Sequence, residues 1–194
     1  MKKTLVILAL AIVSFANAQK GSVLVMGSIE YNSQKSSSPG SENEYNFFAF
    51  APKVGYQFHE NWTAGIETTI ATGKTENYSY DQKENSFSLG GFLRYSKPLN
   101  QTFSAYADLG VGYVSNKSTM TDNDFDTTTT IKGNGYYIGV TPAIFINVNK
   151  GFGLNFNIGG LGYSAINYDE NRPDYKNFRF SFGQAISVGI SKNF

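Results

Sequence analysis

Cysteine is absent from this chain of 194 residues, and Asp, Glu, Lys and Arg together supply only 16% of it. Without cysteine there can be no disulfide, no thiol chemistry and no lipoprotein anchor. Apolar runs are also scarce: the longest, Leu5 to Ala16, covers about twelve residues, whereas a helix needs roughly 20 to cross a bilayer. If the protein lies in a membrane, it must therefore cross as a closed sheet.

The N-terminus has the three parts of a secretory signal peptide. Lys2 and Lys3 precede the apolar run, and Ala16-Asn17-Ala18 follows it. This pattern predicts cleavage after Ala18, with a signal peptide over residues 1–18 and one mature domain over residues 19–194. Removing Lys2 and Lys3 from the 16 basic residues leaves 14 against 15 acidic ones, a balance that does not indicate nucleic-acid binding.

Aromatic residues make up 15% of the chain and glycine occurs 20 times, which favours strands and tight turns over helices. Residues 177–194 show the pattern most clearly. Their even positions are mostly bulky and apolar, from Phe178 to Phe194, while their odd positions are small or polar, from Arg179 to Ser191. This is a period-two strand with its bulk on the apolar side, as expected for a wall with lipid outside.

Seven earlier segments alternate in the same way. They are expected near residues 22–31, 46–58, 62–71, 87–96, 103–113, 136–146 and 152–158. Short turns and long polar loops join the segments alternately, with the loops over residues 32–44, 72–85, 115–133 and 164–176. The pattern predicts an all-β, eight-stranded antiparallel transmembrane up-and-down β-barrel, with both termini in the periplasm and the long loops outside. At eight strands, side chains fill the lumen.

Charged residues at inward positions are the sharpest feature of the predicted barrel. They are Glu30, Lys53, Glu67, Arg94, Asp108 and Arg179. Lys53 and Glu67 are equidistant from a short turn and should oppose each other directly, while Arg94 should face Tyr106 with Asp108 on the diagonal. Because an unpaired buried charge is costly, the six are predicted to form one self-neutralising lumen network that plugs the barrel. The alternative is an ion path or gate.

Aromatic residues collect at the strand ends on the outward face, which predicts two interfacial girdles. The girdle at the short-turn end comprises Phe58, Trp62, Tyr95, Phe103 and Phe152, and the girdle at the loop end comprises Tyr31, Phe87, Tyr113, Tyr136 and Phe178. Stacking on a sugar or base is the alternative reading. Two strands also carry a proline in the middle, Pro52 and Pro142. A bulge or local bend is expected at each.

No enzyme site, metal site or cofactor site is expected. Residues 122–126 resemble the opening of a calcium loop, but Thr127 stands where the loop needs glycine and Gly133 where it needs an acidic residue. A solvated acidic loop is the better interpretation, with weak divalent binding as a hypothesis. His59 is the only histidine, and it falls in a periplasmic turn, at the wrong end for a surface enzyme.

Four segments carry a resemblance to a known family. The leader ending ANAQ, the segment FAPKVGYQFHENWTAGIE, the strand GGFLRYSKPL and the terminal GISKNF resemble the small outer-membrane β-barrel proteins of Bacteroidota, similar in architecture to OmpX- and OmpA-type barrels. The resemblance covers the mature chain. It implies an outer-membrane location and recognition by the barrel-assembly machinery, with Ile186, Val188, Ile190 and Phe194 as the assembly signal.

The expected function is structural or interactive, meaning envelope integrity or surface contact through four extracellular loops. A narrow pore for small solutes is the alternative. A soluble periplasmic barrel of lipocalin type is a third possibility, which the inside-out patterning argues against. The expected partners are outer-membrane lipid, the assembly machinery during biogenesis and a surface ligand at the loops. No nucleic acid is expected, and the chain should be a monomer.

Overall fold

The computed structural model describes residues 21–38, 41–150, 152–169 and 173–193. The predicted signal peptide therefore lies outside the described residues, as does Phe194. The described part consists of eight strands: β1 (Val23–Ser38), β2 (Ser41–His59), β3 (Trp62–Asn77), β4 (Tyr80–Pro98), β5 (Phe103–Asp122), β6 (Thr127–Asn149), β7 (Phe152–Tyr168) and β8 (Tyr175–Asn193). Each strand pairs antiparallel with the next, and β8 closes the ring on β1. The predicted eight-stranded up-and-down barrel is confirmed.

The wall of the barrel is apolar outside and polar or small inside. On β3, Ile66 and Ile70 point outward with 63% and 52% of their surface exposed, whereas Gly65 and Glu67 point into the barrel. A soluble barrel would bury the isoleucines, so this arrangement requires lipid around the wall. No helix among the described residues is long and apolar enough to span a membrane.

Glycines line the inner wall where bulky side chains cross the lumen. A Cβ atom on Gly110 would lie 2.5 Å from Oε1 of Glu67, and one on Gly65 would lie 2.7 Å from Cε1 of Phe92. Larger residues at these positions would displace the side chains that fill the barrel. The inward glycines are therefore part of the packing of the lumen.

Most described positions of the first three long polar segments, and the two ends of the fourth, are strand, which corrects the prediction that the segments are loops throughout. The pairing of β5 with β6 continues past Tyr113↔Tyr136 to Asp122↔Thr127, and β1 pairs with β2 as far as Ser38↔Ser41. Both faces of these extensions lie in water, so the apolar alternation that marks a membrane strand disappears while pairing continues. The expected loops between β3 and β4 and between β5 and β6 are in fact tall hairpins with short tips.

The two prolines differ in their surroundings. Between Val140 and Ala143, around Pro142, the β6–β7 register shifts by one residue, because β7 carries an additional residue there. Around Pro52 the β2–β3 pairing is interrupted but resumes at Lys53↔Glu67 in the same register. The expected bulge is thus confirmed at Pro142, and no register shift occurs at Pro52. Because of the shift on β7, the outward residues of this strand have even numbers below it, as at Phe156, and odd numbers above it, as at Leu161.

Candidate functional site

Four of the six predicted lumen charges converge in the described barrel, and we call Lys53, Glu67, Arg94 and Asp108 the lumen charge cluster. Arg94 holds Asp108 with two hydrogen bonds, from Nε to Oδ1 at 2.7 Å and from Nη2 to Oδ2 at 2.9 Å. Lys53 Nζ lies 2.6 Å from Glu67 Oε2 and 3.3 Å from Asp108 Oδ2. Each sign occurs twice, so the cluster is neutral as a whole.

Strand register places these four side chains together. Lys53 opposes Glu67 directly, as the sequence predicts. Arg94 opposes Asp108 and not Tyr106, which corrects the expected pairing. The reason lies in the β4–β5 turn, where the Asn100 side chain accepts hydrogen bonds from the backbone N–H groups of Thr102 and Phe103. This Asx-type turn moves the centre of the hairpin one residue toward the C-terminus. The residue opposite Arg94 therefore lies two positions later in the chain, at Asp108 instead of Tyr106.

Aromatic rings and a thioether enclose the cluster. The Arg94 guanidinium carbon lies 3.7 Å from the centroid of the Tyr106 ring, and Lys53 Nζ lies 5.3 Å from that of Phe92. Arg94 Nη2 also lies 2.9 Å from the Met26 sulfur. Arg94 and Asp108 keep only 5% and 4% of their surface exposed. At this depth the ion pair is shielded from water and its geometry is fixed on every side.

Two hydrogen-bonded groups flank the cluster. Their contacts are not predicted by the sequence. The Tyr137 hydroxyl donates to Glu67 Oε1 at 2.7 Å. On the other side, Tyr106 donates to Asn155 Oδ1 at 3.0 Å, and Asn155 donates in turn to Ser191 Oγ at 2.8 Å. All of these residues stand at inward positions, so the face could be read from the sequence. The sequence does not tell which of the inward residues meet across the lumen.

Glu30 and Arg179 do not join the cluster, which corrects the prediction of one network of six. Among the described residues, neither lies within ion-pair distance of an opposite charge, and both are exposed. They sit on β1 and β8, whose paired region ends below them at Gly27↔Ile190. Arg179 instead borders a cavity of about 510 Å³ beside β6, β7 and β8, which Tyr137 also lines.

All ten predicted girdle residues lie on the exposed outer surface, with exposures from 36% for Trp62 to 70% for Tyr31. At the short-turn end, Trp62 opposes Tyr95, and the ring centroids are 5.0 Å apart. At the other end, Tyr113 opposes Tyr136. Of the predicted assembly signal, Ile190 is exposed at 55%. Phe194 and the side chains of Ile186 and Val188 lie outside the described residues.

The hairpin tips carry the most exposed aromatic side chains. Tyr78, at the β3–β4 tip, is 82% exposed, and Phe125, at the β5–β6 tip, is 79% exposed. The two tips touch, because the Asn123 backbone N–H donates to the Ser79 carbonyl at 2.9 Å. Exposed ion pairs occur lower on the hairpins, where the hydrogen bond from Lys74 to Glu76 raises the pKa of the lysine above its ordinary value.

The acidic tip at residues 122–126 uses its first carboxylate to shape the turn. Asp122 Oδ1 accepts hydrogen bonds from the backbone N–H groups of Asp124 and Phe125, at 2.9 and 3.1 Å. Within the described ranges, no group of three potential metal-ligating side chains comes together. His59 is exposed at the β2–β3 turn, where its Nδ1 accepts a hydrogen bond from the Asn61 backbone N–H at 3.5 Å.

A closed ring of eight antiparallel strands with an apolar outer face is the architecture of an integral outer-membrane β-barrel. The chain belongs to the outer membrane protein beta-barrel domain family, whose model matches residues 4–189. A comparison with curated protein sequences finds no match.

Solved structures share this fold at low sequence identity. The crystal structure of Ail, the attachment invasion locus protein of Yersinia pestis, is similar with a TM-score of 0.52 and 14% identity, over 91% of this chain and 100% of that one. A major outer membrane protein from Thermus thermophilus is similar with a TM-score of 0.55 and 11% identity, over 90% of this chain and 99% of that one. Likeness at these identities shows the fold alone.

Proposed function

We propose that this protein is a non-enzymatic outer-membrane barrel whose lumen is plugged by the lumen charge cluster. In this proposal the barrel anchors four extracellular connections, which serve envelope integrity or contact at the cell surface. The observation that carries the proposal is the cluster itself, because it places four compensated charges and the rings of Phe92 and Tyr106 across an eight-stranded lumen.

The geometry of the cluster favours a plug over a gate. A gate needs side chains with a second arrangement of similar free energy. Arg94 is held by two hydrogen bonds to Asp108 and stacks on Tyr106, so moving it breaks several contacts at once. Each hydrogen bond to a charged group contributes about 1.5–3 kcal/mol. The closed arrangement should therefore dominate the population.

A narrow pore for small solutes is the second candidate, and one observation favours it. The cavity of about 510 Å³ beside β6–β8 extends the free space of the lumen toward the hairpin end. For conduction, however, solutes would have to pass the cluster as well. The pore reading thus depends on whether the cluster moves.

Conductance of the refolded chain in a planar bilayer separates the two candidates. The plug predicts a silent bilayer for the wild type, after its gel mobility has been shown to shift on boiling as that of folded barrels does. Lys53→Ala should lower stability without opening a channel, and Glu30→Ala, an inward residue outside the cluster, is the matched control. Stable single-channel steps in the wild type, or a steady conductance created by Lys53→Ala, would replace the plug with a pore or gate.

The partners follow from the same proposal. Outer-membrane lipid would cover the girdles, and the barrel-assembly machinery would read the end of β8, where Ile190 is exposed to the outside. The tips around Tyr78 and Phe125 are the proposed contact point for a surface ligand, because exposed aromatic side chains are frequent anchors of protein contacts. The barrel is proposed to act as a monomer.

A further inference from the structure

The ring of strands is closed over only a short length at the seam between β1 and β8. In the described parts of the two strands, the pairing consists of Leu24↔Asn193, Val25↔Lys192, Met26↔Ser191 and Gly27↔Ile190. By contrast, β1 pairs with β2 along its whole length, up to Ser38↔Ser41. Above Gly27, no further β1–β8 pair occurs among the described residues.

An unpaired edge at membrane depth has a specific physical consequence. Backbone N–H and C=O groups cannot be left exposed to hydrocarbon, and irregular backbone is tolerated only where it is buried or faces a water-filled cavity. The cavity bordered by Arg179 and Ser181 lies against β8 above the paired region. Water or a polar ligand group in this cavity can satisfy the edge from the inside.

An apolar crevice marks the point where the seam pairing ends. It has a volume of about 500 Å³ and is bounded by residues of both wall faces, with Val25, Ile29 and Ile190 from the outer face and Met26 and Ser28 from the inner face. Above it, the two edges carry large apolar side chains with unusually high exposure. Tyr31, Phe178, Phe180 and Phe182 are exposed at 66–70%. The seam thus offers an apolar entrance from the membrane.

Arg179 borders the cavity behind the seam and, among the described residues, has no acidic partner within ion-pair distance. Among the described residues that line it, Arg179 is the one with a charge, and its neighbours Asn177, Ser181 and Ser164 are neutral hydrogen-bonding residues. The lumen charge cluster cannot neutralise Arg179, because its own charges are balanced. A guanidinium in this setting favours a ligand group with two acceptor oxygens.

We propose that the barrel binds a single-chain fatty carboxylate through the β1–β8 seam, with the carboxylate on Arg179 and the acyl chain in the apolar crevice. The distance between the two sites requires a long chain. Ser181 pairs with Gly160 and Gly189 pairs with Asn155, so the sites are separated by five positions on β7, or about 17 Å. The cavity of about 510 Å³ and the crevice of about 500 Å³ each have the size of a small-ligand site.

Binding can be measured with stearate that carries a nitroxide in the carboxyl half of its chain, added to the refolded full chain in zwitterionic lipid nanodiscs. Arg179→Gln should weaken binding about tenfold or more, because a hydrogen-bonded charge partner is lost. Lys176→Gln is the matched control, since it removes a cation from the outer face of the same strand. Lys192→Gln tests the alternative cation, Lys192, which lines the crevice itself. Its Nζ donates to the Lys150 carbonyl.

Quenching by the nitroxide locates the bound chain without altering Arg179. In a Trp62→Phe background, Phe180→Trp places the only tryptophan at the seam, and Val111→Trp places it on the distant wall at β5. The proposal predicts saturable quenching at the seam alone. Equal quenching at both positions would mean simple partitioning into lipid and would overturn the proposal. So would loss of binding through Lys192→Gln but not Arg179→Gln, equal binding of the neutral methyl ester, or tighter competition by a monoacyl phosphate.

Discussion

The sharpest prediction concerns Asp108, which accepts hydrogen bonds from Arg94 and lies close to Lys53. Asp108→Asn keeps the shape of the side chain but leaves two cations in the lumen against Glu67 alone. Removing one partner of a buried ion pair costs about 3–5 kcal/mol. Because the side chain of Lys53 is 22% exposed and can draw on lumen water, the lower end applies. We therefore expect a loss of about 3 kcal/mol in the free energy of unfolding.

The assay is urea unfolding of the refolded chain in lipid vesicles, followed by the fluorescence of Trp62, the only tryptophan. For a slope of about 2 kcal/mol per M, the midpoint should fall by roughly 1.5 M. The double variant with Arg94→Gln restores charge balance, so its loss should be smaller than the sum of the two single losses by about 2 kcal/mol.

The matched control for Asp108 is Glu42→Gln. Glu42 pairs with Lys35 on the β1–β2 hairpin, where the side chains of both partners are 60% exposed. This pair should be replaceable without a measurable change in the midpoint, because water screens it. If Asp108→Asn also left the midpoint unchanged, or if the double variant were simply additive, the cluster would be a hydrated group of independent charges and the plug would lose its basis.

Two further predictions concern the packed lumen and the hairpin tips. Gly65→Ala should lower the unfolding free energy by about 2 kcal/mol, because the new methyl group would meet Gly55 Cα at 2.5 Å and Phe92 Cε1 at 2.7 Å. Gly91→Ala, whose nearest contact would be at 3.7 Å, should change it little in the same vesicle assay. Tyr78→Ser and Phe125→Ser should each reduce binding of cells that display the barrel to polystyrene beads, whereas Tyr175→Ser should not. Unchanged binding for both tip variants would count against the tips as a contact surface.

Residue patterning was sufficient to predict the parts of this barrel that repeat regularly. Period-two alternation gives the face of each residue, and a short turn such as the one between His59 and Trp62 gives the opposing residue, so the pair Lys53↔Glu67 could be predicted. The same method failed at Arg94, because one Asx-type turn at Asn100 moved the hairpin centre. Register is sensitive to a single turn residue in a way that composition does not record.

Other features left no hydrophobic signal in the sequence. Both faces of the hairpin extensions contact water. Their sequences therefore show no apolar alternation that would distinguish them from loops. The register shift on β7 adds one residue near Gly159. The φ of this glycine is +120°, a value that glycine adopts readily, but an isolated glycine in a sequence does not specify a bulge. Alternation also cannot tell how far apart two inward residues are around the ring. For this reason Glu30 and Arg179 were placed with a cluster that they do not reach.

Apart from shifts beside the short β2–β3 and β6–β7 turns, the register shifts lie on one side of the wall. Pairing from β3 through β6 proceeds without a register shift, and this regular side contributes Glu67, Arg94 and Asp108 to the cluster. Register shifts occur in β6–β7 and β7–β8, and Gly183 on β8 has a φ of +72°. There β8 places residues 183–186 opposite the single β7 position 158. The extra length changes the course of β8 just above the point where its pairing with β1 ends, which leaves the unpaired edge and the Arg179 cavity on the same side. A regular wall supports fixed side chains, whereas a strand with added residues can expose its edge, so the proposed plug and the proposed site at the seam fall on different sides of the wall.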